Sequence, residues 1–270
     1  MKKAKAAVFT GINLPFEIRE YELTAPPAGM ARLKLCASGI CGTDLHILRG
    51  KLPLKPPLII GHEFVGTVDA ISEEDSRMSG ISVGDNAIAY IAVPCGQCEL
   101  CRSGDGANCP NMNVTNGGNL EDPPHFWGGY GEYNFTPVSN LVKIPLSLDP
   151  RTVCVFACAG PTVIHAFSLA ARANFSVRNV KTAVVQGFGP VGAFTVFYLS
   201  ALGVKNIAVV TAHTNQKRAA LAASLGASRV FSLEEAPGKP SDYIISQIGR
   251  PVDIVVEASG SPAAIPVGLE

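Results

Sequence analysis

Hydrophobic and polar positions change their rhythm near the middle of the chain. Up to about residue 150, short apolar runs such as Arg32-Leu33-Lys34-Leu35, Phe64-Val65-Gly66-Thr67-Val68 and Asn86-Ala87-Ile88-Ala89 are separated by Gly, Pro and Asp turns. Runs of that length bounded by turn residues predict strands, and many in succession predict an irregular β-barrel. No long helical periodicity is present there. Beyond Asp149-Pro150 the apolar positions from Val153 to about Ala173 fit a helix, with Pro161 near its start or at a kink. Strands are then predicted over Thr182–Gln186, Ile207–Thr211, Arg229–Phe231 and Val252–Glu257, alternating with helices over Val191–Leu202, Gln216–Leu225 and Asp242–Ile248. The strands are nearly continuous Val/Ile runs, as expected when helices cover both faces of a sheet. Such alternation predicts a doubly wound parallel sheet. The expected organisation is a β-barrel domain over 1–150 followed by an α/β domain over 151–270.

Composition supports packed cores: 47% of the 270 residues are hydrophobic and only 16% are charged. Lys plus Arg equals Asp plus Glu at 22 each, which argues against nucleic acid or an anionic membrane as the main partner. There is no run of 18 apolar residues, and the basic start Met1-Lys2-Lys3-Ala4-Lys5 leads into the strand-like Ala6-Ala7-Val8-Phe9 rather than a signal-peptide core. A cytoplasmic protein is the expectation.

The eight cysteines change the picture most. Four of them, Cys95, Cys98, Cys101 and Cys109, crowd into 15 residues as C-x2-C-x2-C-x7-C. Two-residue gaps let neighbouring thiolates turn onto one ion, and zinc accepts four such ligands tetrahedrally. Gly96, Gly104 and Gly106 supply the tight bends. With no position left for water, the site would be structural. A metal-free reduced loop and an iron–sulfur cluster are the alternatives, the latter without any other sign of electron transfer.

Other donors are scattered: Cys41 in Cys41-Gly42-Thr43-Asp44-Leu45-His46, His62-Glu63 after Gly61, and Cys158 in Cys158-Ala159-Gly160. Spacing alone does not join them. In this order, however, those fragments, the four-cysteine lobe, Val83-Gly84-Asp85, Gly128-Gly129-Tyr130-Gly131-Glu132-Tyr133 and a later glycine fingerprint resemble the zinc-containing medium-chain alcohol dehydrogenases. The resemblance spans almost the whole chain. It implies a GroES-like catalytic barrel followed by a Rossmann domain, and oxidation of an alcohol or polyol CH–OH group by NAD(P). It also implies two zinc ions per chain. Cys41, His62 and Cys158 would be ligands of the catalytic one, with Glu63 beside it, and the four lobe cysteines would hold the other. Thr43 falls where the family has a hydroxyl touching the substrate oxygen, and His46 where some members have the outer end of a proton relay. A homo-oligomer is expected for a full-length form. Ser72 stands where a glycine is often found, Asn86 replaces the usual Arg or Lys, and the loop 73–80 is expected to be irregular. The family continues through two further strands, so the Rossmann sheet is expected to be C-terminally incomplete. A catalytically inactive zinc-binding member, or a fragment, is the alternative reading.

The cofactor half carries Gly187-Phe188-Gly189-Pro190-Val191-Gly192 between a predicted strand and helix. The glycines allow a tight turn and bring a pyrophosphate close to the helix N-terminus. The second strand of such a unit normally ends in an acid that binds the adenosine ribose. Here it ends Thr211-Ala212-His213, which permits NADP, with Lys217 and Arg218 as countercharge or as a solvated helix face. NADP is therefore favoured over NAD.

Overall fold

The computed structural model describes residues 2–114, 116–249 and 251–270, and the chain divides into two compact units, Met1–Cys158 and Ala159–Glu270. In the first lie β1 (Lys3–Val8), β2 (Glu17–Glu22), β3 (Met30–Gly39), α1 (Gly42–Leu48), β4 (Glu63–Ala70) and α2 (Glu73–Ser79). They are followed by β5 (Asn86–Ala89), β6 (Ala92–Val93), α3 (Glu99–Arg102), β7 (Asn113–Val114), β8 (Tyr133–Pro137), β9 (Leu141–Lys143) and α4 (Pro150–Val153). Five strands form an antiparallel sheet in the order β8-β3-β4-β5-β9, while β1-β2 and β6-β7 pair separately.

Alternation along these strands aims Ala31, Leu33, Phe64, Val68, Ala87 and Ala89 into one core. Two register shifts between β3 and β4, at Arg32/Leu33 and Leu35/Ala37, bend the sheet as bulges do and give it the curl of a GroES-like barrel. The two seven-residue helices of this unit were not foreseen. The segment 73–80, expected as an irregular loop, is helix α2 closed by Gly80. Ser72 caps it by accepting the Asp75 N–H at 3.0 Å, and three acids occupy its first turn. The other, α1, is too short for its periodicity to register.

The second unit holds α5 (Ala159–Arg172), β10 (Thr182–Gln186), α6 (Pro190–Ala201), β11 (Asn206–Thr211), α7 (Gln216–Ser224), β12 (Arg229–Ser232), α8 (Pro240–Ile248), β13 (Ile254–Glu257) and α9 (Ala264–Leu269). Its four strands are all parallel, in the order β12-β11-β10-β13. Ala183, Val185, Ile207 and Val209 point into one core, and Val184, Ala208 and Val210 into another. That two-sided burial is why these strands read as unbroken apolar runs. Asp253 accepts the Lys181 and Thr182 N–H groups at 2.7 and 2.8 Å and so fixes the start of β10. The helix predicted from Val153 to Ala173 is interrupted: a 3-10 turn over Cys154–Ala157 precedes Cys158, whose φ of −122° and ψ of −65° are not helical, and Pro161 sits in the first turn of α5. Among the described residues no single helix is long and apolar enough to cross a membrane.

Candidate active site and metal centres

The lobe between β6 and β7 closes on itself. One donor from each of Cys95, Cys98, Cys101 and Cys109 lies within 4.8 Å of all the others. Cys95 Sγ is 3.9 Å from Cys101 Sγ, and Cys98 Sγ is 3.8 Å from Cys109 Sγ. Four sulfurs bound tetrahedrally at about 2.3 Å stand about 3.8 Å apart, whereas a disulfide would require about 2.0 Å. The sulfurs also accept backbone N–H groups: Cys95 N donates to Cys109 Sγ at 3.3 Å, Cys98 N to Cys95 Sγ and Cys101 N to Cys98 Sγ, both at 3.4 Å. Backbone N–H groups of Gln97 and Cys98 lower the Cys95 pKa to about 6, favouring the thiolate a metal needs. Burial and the Cys98 sulfur push Cys101 up to about 12, the response of thiols packed too closely to ionise together without a cation. This donor set fits zinc.

The second cluster joins four distant positions. Cys41 precedes α1, His62 directly precedes β4 and Glu63 opens it, and Cys158 stands at the helix interruption; one donor from each lies within 4.8 Å of the rest. His62 and Glu63 are 3% and 6% exposed, so these polar groups have left water for one another. Cys41 is lowered to about 3 by hydrogen bonds with Cys158 and His62, while the same partner and burial push Cys158 upward. The two sulfurs thus share one negative charge. Burial opposes a charged His62, but Asp44 and Cys41 outweigh it and raise its pKa to about 10. Glu63 rises to about 7 through burial and the Cys41 charge. A divalent cation would let both thiolates ionise and would turn the imidazole from cation to ligand. Two thiolates, one imidazole and a carboxylate at the edge also fit a zinc site with an exchangeable corner.

Asp44 was not singled out in the sequence, yet it braces this cluster. Its Oδ2 accepts the Cys41 N–H at 2.8 Å, and its Oδ1 lies 3.5 Å from His62 Nδ1. The signal was available: an acid three residues after the residue preceding a helix is the spacing of a capping box. Thr43 Oγ1 is 3.7 Å from Cys41 Sγ, and His46 is exposed in the last turn of the same helix. His125, Phe126 and Trp127 anchor their own loop. Phe126 is fully buried, while His125 Nδ1 and Trp127 Nε1 bond the carbonyls of Leu120 and Asn119.

In the second unit the glycine turn lies between β10 and α6. Gly187 has φ +92°, and a Cβ there would meet Ser259 Cα at 2.6 Å; at Gly192 it would meet the Gly187 carbonyl oxygen at 2.1 Å. Gly189, by contrast, faces open space, with nothing within 4 Å of a built Cβ. A cavity of about 580 Å³ opens there, lined by Gly187, Gly189, Thr211, His213 and Arg218 among others. Its volume suits a cofactor, and α6 presents its first turn with Pro190 at N1 and Val191 next, packed against the core. Arg218 Nη2 donates to the Phe188 carbonyl at 2.7 Å, fixing the guanidinium beside the turn. Thr211 is buried and bonds the Phe231 carbonyl at 3.4 Å; Lys217 is exposed and does not line the cavity. Glu234, which the sequence reading passed over, pairs with His213. Glu257 accepts the Ser259 and Gly260 N–H groups, a turn role.

Residues 27–146 match the family described as Alcohol dehydrogenase GroES-like domain, and residues 190–270 the one described as Zinc-binding dehydrogenase. An alcohol dehydrogenase of Geobacillus stearothermophilus is 35% identical over 256 residues, covering 93% of this chain and 70% of that protein. The chain belongs to the zinc-dependent alcohol dehydrogenase family. Solved alcohol dehydrogenases superpose on it closely. An alcohol dehydrogenase of Thermotoga maritima gives a TM-score of 0.86 at 28% identity, over 99% of this chain and 74% of that one. A protein of E. coli described as a short chain alcohol dehydrogenase, complexed with NADH, gives 0.77 at 28% identity, over 98% and 72%. As a zinc-dependent alcohol dehydrogenase the protein is an oxidoreductase of CH–OH groups, with zinc and NAD(P) as its cofactors.

Proposed function

We propose that Cys41, His62 and Cys158 hold the catalytic zinc of this dehydrogenase, with Glu63 beside it, and that Cys95, Cys98, Cys101 and Cys109 hold a second, structural zinc. The reading rests above all on the meeting of donors from three separate chain segments within 4.8 Å, two of them almost wholly buried. When bound, the open-site metal polarises a hydroxyl oxygen and lowers its pKa, and the nicotinamide takes up the hydride. The chain's own side chains do the rest. Asp44 orients His62 and pins the backbone of Cys41. Thr43, two residues after Cys41, accepts the substrate hydroxyl proton as it gives up its own, which is handed on toward the exposed His46, three residues further, and from there to water. Gly187, Gly189, Pro190, Val191 and Gly192 form the pyrophosphate turn.

The substrate is a primary or secondary alcohol or a polyol. NADP is favoured over NAD: no carboxylate lines the cavity among its described residues, and Arg218 stands at the turn. Family resemblance also supports self-association and a cytoplasmic location. The deciding experiment runs a panel of alcohols and polyols with NAD and NADP in parallel, following reduced-nicotinamide absorbance, with zinc measured per chain. The expected result is turnover that is faster with NADP, and two zincs. Two zincs without turnover on any substrate would overturn the catalytic reading, and a clear preference for NAD would overturn the choice of cofactor.

A further inference from the structure

The strand β10 reads Thr182-Ala183-Val184-Val185-Gln186, and its last residue is polar although it is only 4% exposed. Burying an amide is unfavourable unless it is hydrogen-bonded. Gln186 Nε2 donates to the Ala264 carbonyl, 78 positions further along, at 2.9 Å, and Oε1 has no partner among the described residues. One bond therefore holds this amide, and it runs to the first turn of α9.

The helix it meets is weakly anchored by burial. α9 is six residues long, too short to be stable alone, and none of its side chains is buried. Val267 packs against the core from a half-buried position. At the far end Glu270 accepts the Ser241 hydroxyl at 2.7 Å and pairs with Lys239 at 2.8 Å. Between these ties stands Gly268, a residue disfavoured inside a helix. A Cβ there would come within 2.9 Å of Gln186 Oε1, so a helix former is missing where the amide needs room.

This helix borders the cofactor cavity. Gln186, Ser259, Ala263, Ala264 and Val267 line that space together with the glycine turn. Close to the turn the two parts already touch: Ala258 N–H donates to the Gln186 backbone carbonyl at 2.8 Å, and a Cβ on Gly187 would strike Ser259. The Gln186 side chain adds a second tie, further along, to α9. We propose that Gln186 is a positioning residue for the cofactor: its amide, seated in the gap left by Gly268, fixes how far the α9 wall stands from the glycine turn. This rests on the reading of residues 187–192 as the pyrophosphate turn.

The test titrates the zinc-loaded full chain with NADPH and, in parallel, NADH, following nicotinamide fluorescence. Two variants are compared with the parent. Gln186→Met keeps the length of the side chain and removes its N–H, while Gly268→Ala keeps every group of Gln186 but pushes its amide away from α9. The expected Kd of the better-bound cofactor is about tenfold higher in Gln186→Met, the scale of one lost hydrogen bond. In Gly268→Ala it should be about threefold higher or more, although alanine favours the helix. At saturating cofactor, kcat should stay within about twofold of the parent. A Kd within about twofold of the parent in Gln186→Met, or in Gly268→Ala should the first variant fail to fold, would overturn the proposal even if the melting temperature falls. So would a drop in kcat as large as the loss of affinity, which would assign Gln186 to general packing. A parent chain that binds neither nucleotide would instead remove the pyrophosphate-turn reading, and this inference with it.

Discussion

The two cysteine clusters are built from similar donors and differ in where those donors come from. The lobe takes all four from 15 consecutive residues and tunes its sulfurs with its own backbone N–H groups. The other gathers Cys41, His62, Glu63 and Cys158 from across the first unit and sets the buried Asp44 against them. Local wrapping yields a saturated cage that can be assembled early and cheaply. Long-range assembly costs more chain order, but a metal held there by three ligands would keep a coordination corner for a reactant.

Substitutions can break that contrast in graded steps. The largest effect is expected from Cys158→Ser, which should lose one zinc per chain and about three orders of magnitude in turnover, the scale of several kcal/mol of lost charge stabilisation. Metal analysis alongside steady-state kinetics checks it; turnover that survives with one zinc missing would merge the two clusters into one structural class. Next comes position 43. Thr43→Ala should lose about a hundredfold in kcat, whereas Thr43→Ser should retain most of it, since only the hydroxyl is needed. Equal rates for the two variants would take Thr43 out of proton transfer. The smallest kinetic effect is expected in the lobe. Cys109→Ser should also cost one zinc, but kcat should change less than about threefold while the melting temperature falls by about 5–10 °C. A collapse of kcat at unchanged melting temperature would mean that the lobe takes part in chemistry.

The same contrast explains what could be read from the sequence. The lobe's clustering was legible because its four cysteines are neighbours in sequence at metal spacing. The parallel sheet was legible because strands buried on both faces, such as Val184-Val185 and Val209-Val210, leave unbroken apolar runs. The open cluster was not legible from spacing, since Cys41 and Cys158 are 117 positions apart and any lone cysteine reads as a small hydrophobe. Only resemblance joined them. Asp44 stayed hidden for another reason: its capping-box spacing could be read, but its burial beside His62 could not be read from one sequence. Glu234 was missed because its partnership with His213 crosses from β11 to the turn after β12. The break at Cys158 escaped too, because a 3-10 turn and an α-helix share nearly the same apolar spacing.

The amide-to-sulfur bonds of the lobe carry a last consequence. Because the Cys109, Cys95 and Cys98 sulfurs each accept the N–H of another lobe cysteine, loss of an ion held there would loosen the turns along with the coordination. A cell short of zinc would therefore see this segment change from a knot into a protease-accessible thread, and the amount of intact enzyme would follow the metal supply before its specific activity did.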